Sequence, residues 1–221
     1  MNRVLSWFCK IFLAPLVKIL FIKEIKGQEF IPRRNFILVS NHTSYFDIIV
    51  DSYLCVPREF HFIGQIDGWK GIMKCLIRAL YFVSGVIPLD RRSDESRENA
   101  LKEAIKVLKK GNILVLYPEG RRSETGEIQE GKFGVAKIFL KTGVPILPAA
   151  IRGAFELLPP HGKLKIKRIV KINIGRPLYF QEELEKAKNL NCESVEYKNL
   201  LQKITNRTME EIKKLTETRS L

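Results

Sequence analysis

Short apolar runs that end in polar turns constrain this 221-residue chain more than any other feature. Phe36-Ile37-Leu38-Val39, Ile113-Leu114-Val115-Leu116-Tyr117 and the stretch 144–151 have strand length and β-branched members, which predicts strands buried in a sheet. Helical patterns lie between them. The clearest covers 94–110, with Asp94 and Glu95 in its first turn, Ala100, Leu101, Ala104, Ile105 and Leu108 on one face, and Lys109-Lys110-Gly111 at its end. Such alternation predicts an α/β fold: a single domain with a mostly parallel or mixed central sheet flanked by helices, for which the length suffices.

Weaker patterns fill in the rest. Strands are expected at 60–63 and 86–89, and helices at 48–54, 69–82 and 131–141, the 69–82 region carrying apolar Ile72, Met73, Leu76, Leu80 and Val83. Residues 23–34 read as a polar connector. Two prolines, Pro145 and Pro148, predict that strand 143–151 lies at an edge or in an irregular part of the sheet. Ile166, Val170, Ile172 and Ile174 alternate with Lys165, Lys167, Lys171 and Asn173, as in a half-exposed strand, and everything from Glu182 onward reads as helix.

The N-terminus has its own character. Residues 4–22 are apolar apart from Ser6, Lys10 and Lys18; the lysines and Arg3 fall on one narrow helical face with Ser6 close to it, leaving Trp7, Phe8, Phe12 and their neighbours as a wide apolar surface. This is the profile of a helical segment lying in a bilayer interface, divided by Pro15 into two pieces. No stretch reaches the roughly eighteen uninterrupted apolar residues of a spanning helix, and lysines with no small-residue cleavage site argue against a signal peptide. The expected division is an interfacial segment at 1–26 and a globular domain at 27–221.

A formal charge of +14 points to an anionic partner: nucleic acid, an anionic membrane surface or a phosphorylated substrate. Nucleic acid is disfavoured, because the aromatic residues concentrate in the N-terminus and the strands rather than among the basic residues. A non-catalytic basic membrane-binding module stays open on charge alone. The cysteines at 9, 55, 75 and 192 have no paired spacing and the three histidines do not join them, so reduced thiols, the cytoplasmic side and no metal site are expected.

Asn41-His42-Thr43-Ser44-Tyr45-Phe46-Asp47 directly follows the first apolar strand, at the end where open α/β sheets carry their chemistry. A helix starting near Ser44, capped by Thr43 or Ser44, would put Asp47 one turn along, with its carboxylate in reach of the His42 imidazole. Such a pair makes a general base for a substrate hydroxyl and needs no nucleophile of its own. The residues alone also allow a plain turn followed by a helix-start Asp. A hydrolase with Ser44 as nucleophile is disfavoured, since no Gly-x-Ser-x-Gly elbow is present. Asp90-Arg91-Arg92 and Pro118-Glu119-Gly120-Arg121-Arg122-Ser123 also follow strands. Their arginines suit a phosphate, Gly120 permits a sharp turn, and Glu119 would either pair with Arg122 or share in phosphate binding.

Four stretches in order, Asn41-His42 with Asp47, Gly85-Val86-Ile87 with Arg91, Glu119-Gly120 with Arg122, and Val144-Pro145 with Pro148, resemble the four motifs of the lysophosphatidic acid acyltransferase (1-acyl-glycerol-3-phosphate O-acyltransferase) family. The resemblance covers roughly residues 20 to 215. It implies that His42 is the general base and Asp47 its support, and that Arg91, Glu119, Gly120, Arg121 and Arg122 bind the acceptor. It also implies that Pro145 and Pro148 shape the acyl or acceptor site. The implied substrates are a membrane lysophospholipid and a donor, acyl-CoA or acyl-carrier protein, with no cofactor, on the cytoplasmic face of a membrane. Two departures stand out: Arg121 occupies a position usually held by threonine, and Gln65 lies near a position where many relatives carry a phosphate-binding lysine. They keep other acceptors open, such as another lysophospholipid, a lyso-aminolipid or glycerol-3-phosphate.

Overall fold

The computed structural model describes residues 3–67 and 71–217. Among these, seven strands form one sheet in the order β1-β7-β6-β2-β5-β3-β4. They are β1 (Ile22–Lys26), β2 (Ile37–Ser40), β3 (Phe60–Gln65), β4 (Ile87–Leu89), β5 (Ile113–Leu116), β6 (Ile146–Arg152) and β7 (Val170–Ile174). Strands β2 to β6 are mutually parallel, β7 is antiparallel to β6, and β1 is parallel to β7. The helices are α1 (Arg3–Phe8), α2 (Ala14–Leu20), α3 (Phe46–Cys55), α4 (Gly71–Ser84), α5 (Asp94–Lys109), α6 (Gly134–Thr142), α7 (Ala154–Leu157), α8 (Gln181–Ala187) and α9 (Val195–Glu217).

Side chains alternate across the sheet, so neighbouring residues of one strand feed different cores. Phe36 and Leu38 join Phe46 and Val50 of α3 and Leu157 of α7 on one face. Ile37 and Val39 join Ala104 and Leu108 of α5, Phe139 of α6 and Ile204 of α9 on the other. Burial on both faces explains why β2 and β5 are buried at every position.

Several expectations are corrected. The 23–34 connector contains β1, whose buried Ile22 starts a strand paired with β7; an edge strand tolerates the charges of Lys23, Glu24 and Lys26 that disguised it. The sheet therefore begins at Ile22, inside the segment set apart at 1–26. Strand β6 is central rather than at an edge, flanked by β2 and β7. Pro148 is accommodated because its carbonyl accepts from Gly175 N at 2.9 Å, just past the last residue of β7, so its missing N–H faces no regular ladder partner. Ile166 lies outside β7 and is exposed, and the C-terminal region is two helices, α8 and α9, not one.

At the N-terminus Pro15 does not separate the pieces itself. It occupies the first turn of α2, where a missing N–H is harmless, and the irregularity falls in a π-helical turn at Cys9–Leu13. Trp69 lies outside the described residues, and the side chains of Leu80 and Val83 are likewise outside them. Ile72, Met73 and Leu76 of α4 are exposed. No helix among the described residues is long and apolar enough to cross a membrane. All four cysteines are free.

Candidate active site

Strand register brings the motif loops together. Val39 of β2 is level with Leu116 of β5, so both strands release their loops, at Asn41-His42 and Pro118-Glu119, on the same rim. Leu89 of β4 is level with Gln65 at the end of β3, which delivers Arg91 to that rim as well. Asn41 ties the exit of β2 to β6: its side chain donates to Ile151 O at 2.9 Å and accepts from Ile151 N at 2.8 Å.

His42 Nδ1 lies 3.1 Å from Asp47 Oδ2. The same oxygen accepts from Thr43 N and Ser44 N, both at 2.7 Å, and Asp47 is 0% exposed. The helix starts two residues later than expected, with Tyr45 at the cap position, while Ser44 still accepts a first-turn amide. Helix α3 begins at Phe46, and Asp47 binds back to the preceding turn, while Ser44 Oγ donates to Leu158 O and accepts from Phe46 N. With Nδ1 occupied by the carboxylate, Nε2 is the nitrogen left for a substrate proton. The Tyr117 ring stacks on the imidazole, centroids 3.8 Å apart and planes 11° from parallel.

Glu119 lies beneath the same loop. Its Oε1 accepts from His42 N at 2.8 Å and its Oε2 from Gln129 N at 2.9 Å. Each oxygen takes a backbone amide, so Glu119 holds the His42 loop against the 120–129 loop, and among the described residues it forms no ion pair with an arginine. Burial pushes its carboxyl up, against the two amides, and the Asp47 charge adds to the rise. Deeper still, Ser40 Oγ donates to Asp51 Oδ2 at 2.8 Å. Burial pushes Asp51 up to about 8; the Ser40 hydroxyl opposes this and the neighbouring Asp47 charge reinforces it.

The cations are held more loosely. Arg91 Nη1 donates to Gly120 O at 2.9 Å, and its Nε sits 3.5 Å from Asp67 Oδ1. Arg121 is exposed, with Nε donating to Gln129 Oε1 at 2.7 Å. The Arg122 guanidinium lies over the Tyr45 ring, 3.5 Å from its centroid, and its Nη1 is buried without a hydrogen-bond partner among the described residues. Gly120, at φ 69°, makes the turn that a side chain would strain; a Cβ there would also approach the Lys132 side chain to 3.1 Å.

The acyltransferase family model matches residues 23–152, more than half of the chain and all of this constellation. The chain belongs to the acyltransferase family. Relatives include a chloroplastic 1-acyl-sn-glycerol-3-phosphate acyltransferase of Brassica napus, 29% identical over 183 residues, which are 78% of this chain and 50% of that protein. The 1-acyl-sn-glycerol-3-phosphate acyltransferase of Borreliella burgdorferi is 33% identical over 132 residues, 58% of this chain and 50% of that protein. The crystal structure of the 1-acyl-sn-glycerophosphate acyltransferase of Thermotoga maritima superimposes with a TM-score of 0.65 at 27% identity, covering 98% of this chain and 81% of that one. The chain spans about half the length of the curated relatives it matches.

The motif residues of this family member are not all neighbours. Pro145 precedes β6 at the level of Phe36, six residues before His42 along β2, or about 20 Å at roughly 3.3 Å per residue. Its carbonyl accepts from Ile37 N, so Pro145 starts a strand at the end of the sheet away from the His42–Asp47 pair. Pro148, level with Val39, is nearer but within the sheet. Sequence reasoning missed Tyr117 as the platform under His42, Asp51 below Asp47, and Lys132 beside Gly120. Tyr117 was legible as a strand end one residue before a motif, whereas Lys132 comes near Gly120 only because the 120–131 loop folds back, its N donating to Pro118 O at 2.8 Å.

Proposed function

We propose that the chain transfers a fatty acyl group from acyl-CoA or acyl-carrier protein to the sn-2 hydroxyl of 1-acyl-glycerol-3-phosphate, giving phosphatidic acid. The observation that carries this reading is the His42–Asp47 pair, whose carboxylate is fixed by two backbone amides, set beside Arg91, Arg121 and Arg122. In the proposed step the acceptor hydroxyl gives its proton to His42 Nε2 as its oxygen attacks the thioester carbonyl. The tetrahedral adduct then collapses, the C–S bond breaks, and His42 returns the proton to the departing thiolate. Arg91 and Arg122 hold the acceptor phosphate through charge-assisted hydrogen bonds, and Arg121 adds the weaker attraction of an exposed charge. Proton transfer by a positioned histidine contributes a factor of about 10² to 10⁴. The apolar residues 4–20 lie in the interface of the cytoplasmic leaflet, and nearby cations favour an anionic surface by about 1 kcal/mol each.

A second acceptor class is favoured by one observation. Where many relatives carry a lysine, Gln65 donates to Asp67, and Asp67 faces Arg91. Burial opposes ionisation of Asp67, but its backbone hydrogen bond and Arg91 outweigh it and hold the carboxyl below the usual range. A carboxylate at the rim suits an acceptor headgroup with less negative charge, such as a zwitterionic lysophospholipid or a lyso-aminolipid. Initial rates with both donors against a panel of lysolipids, for wild type and His42→Ala, decide the matter. Preference for 1-acyl-glycerol-3-phosphate, lost in the variant, supports the proposal. Equal rates across headgroups sink the acceptor assignment, and undiminished transfer by His42→Ala sinks the mechanism.

A further inference from the structure

Helix α4 presents its apolar side to solvent. Ile72 is 82% exposed, Leu76 57% and Phe82 87%, and Met73 and Cys75 are exposed with them. At about 100° per residue these positions share one half of the helix. Arg78 flanks that half, and Tyr81 faces the other way, onto the sheet. A Cβ on Gly64 would come within 2.6 Å of the Tyr81 ring, and the Tyr81 hydroxyl donates to Gln65 O at 3.1 Å. Among the described side chains of α4 a hydrogen-bonded tyrosine packs on the sheet while large apolar residues face outward, unlike an ordinary surface helix. A face of this kind is a contact surface.

The position of α4 says what it contacts. The connections β2–α3–β3 and β3–α4–β4 step the same way along the sheet, so right-handed crossovers place α3 and α4 on one face. Helix α2 packs on α3, with the Phe21 and Phe46 rings 4.8 Å apart. At the other end of this layer burial raises the Tyr81 phenol of α4, and Tyr45 is the second influence in the same direction. Exposed apolar residues run across the layer, from Leu16 and Ile19 of α2 through Ile48 and Ile49 of α3 to Leu76 and Phe82 of α4. On the opposite face, α5, α6, α8 and α9 together expose a single large apolar side chain among the described residues, Val195. Lys10, Lys18 and Arg78 lie among the apolar residues of the first face, the cation placement that an anionic headgroup layer complements.

We infer that α4 is a second lipid-contacting element, its outward half seated at the headgroup–acyl boundary in one plane with the N-terminal helices. Tyr45, exposed just before α3 on this face, links the surface to the chemistry, since its ring carries the Arg122 guanidinium. The inference rests on the lipid-acceptor reading above for its purpose, and on the exposed face for its evidence.

The test uses the full chain and vesicles of phosphatidylcholine mixed with phosphatidylglycerol. A polarity-sensitive fluorophore on Cys75, in a Cys9→Ala, Cys192→Ser background, should shift to the blue when vesicles are added. The same label on Cys192, with Cys75→Ser, should not. Leu76→Glu and Phe82→Glu should each weaken vesicle binding by about tenfold or more, as expected for denying burial to a large apolar side chain, while Val195→Glu leaves it unchanged. Both substitutions lie on exposed positions, and their transfer to a short-chain, water-soluble lysophospholipid should equal that of wild type. Unaltered vesicle affinity in both variants overturns the inference. So does a concentration-dependent blue shift at Cys75 without vesicles, which would mean that a second copy covers the face. If wild type transfers no acyl group to any lysolipid, the proposed function fails while the vesicle measurements still judge α4.

Discussion

Beneath the His42 imidazole, Asp47 receives two backbone amides, Glu119 receives two more and Asn41 is joined twice to β6. Around the mouth, Arg91, Arg121 and Arg122 rest on one carbonyl, one side-chain amide and one aromatic face. The floor is built by the same backbone bonds that close the fold, so its geometry exists before substrate arrives. Among the described residues the rim leaves donors unused, Arg122 Nη1 among them, and under the proposed function these are the donors an anionic headgroup would engage. Interactions that are fixed in advance around developing charge act on the chemical step, whereas interactions completed on binding act on affinity.

The largest expected effect tests the floor. Asp47→Asn keeps the shape but removes the charge that supports the imidazolium and its tautomer, so kcat should fall by about 10² to 10⁴ with little change in either KM. An equal rise in acceptor KM would break the distinction between floor and rim. Next comes the rim itself. Arg122→Met should raise acceptor KM by about 10- to 100-fold, the scale of lost charge-assisted bonds, while kcat at saturation stays near wild type. Arg122→Lys should fall between, because an ammonium keeps the charge without the planar fork that lies on Tyr45.

Glu119 lies on the dividing line, as a rim residue by motif and a floor residue by contact. Glu119→Gln leaves one oxygen to accept where two accepted, so either His42 N or Gln129 N faces an amide NH₂. The expected cost is about 1–3 kcal/mol of unfolding free energy, read from denaturant midpoints at constant slope. If acceptor KM moved and stability did not, Glu119 would be a binding residue after all.

The contrast also explains what could be read from sequence. The sheet was legible because β2 and β5 are continuous apolar runs, and His42, Asp47 and the arginines because each follows a strand end. Strand β1 was not, since an edge strand with Lys23, Glu24 and Lys26 carries no apolar pattern. Pro145 entered only through the family resemblance, and the strand register puts it level with Phe36, at the end of the sheet away from His42. The roles of Glu119, Asp51 and Tyr117 depend on which atoms their neighbours leave free, information that exists only once three strands are in register. The outward face of α4 was hidden for a related reason: periodicity identifies an apolar side but not what that side faces.

A pH measurement sharpens the picture of the floor. Asp51 is raised from 3.8 to about 8, so the folded chain keeps a proton that the unfolded chain releases. Its contribution to stability is complete below about pH 3.8 and is lost as pH rises through 8. Glu119 is shifted in the same direction. Asp51→Asn retains an oxygen to accept from Ser40 and has no proton to lose. Its denaturant midpoint should therefore fall less than that of wild type between about pH 6 and pH 9. Parallel curves would mean that Asp51 is already charged in the folded chain.

The smallest effect is expected at Arg121, where this chain departs from the usual threonine. Its side chain is exposed and its Nε is taken by Gln129, so it offers a phosphate only the modest attraction of a solvated charge. Arg121→Thr should change acceptor KM by about threefold or less, well under the effect at Arg122. The comparison is informative because Gln65 leaves the rim short of the lysine found in many relatives. If Arg121→Thr instead matched Arg122→Met, the missing charge would have been relocated from the end of β3 to the turn after Gly120. The rim would then hold its anion with a complete set of cations, and a phosphomonoester acceptor would be favoured over the less charged alternatives.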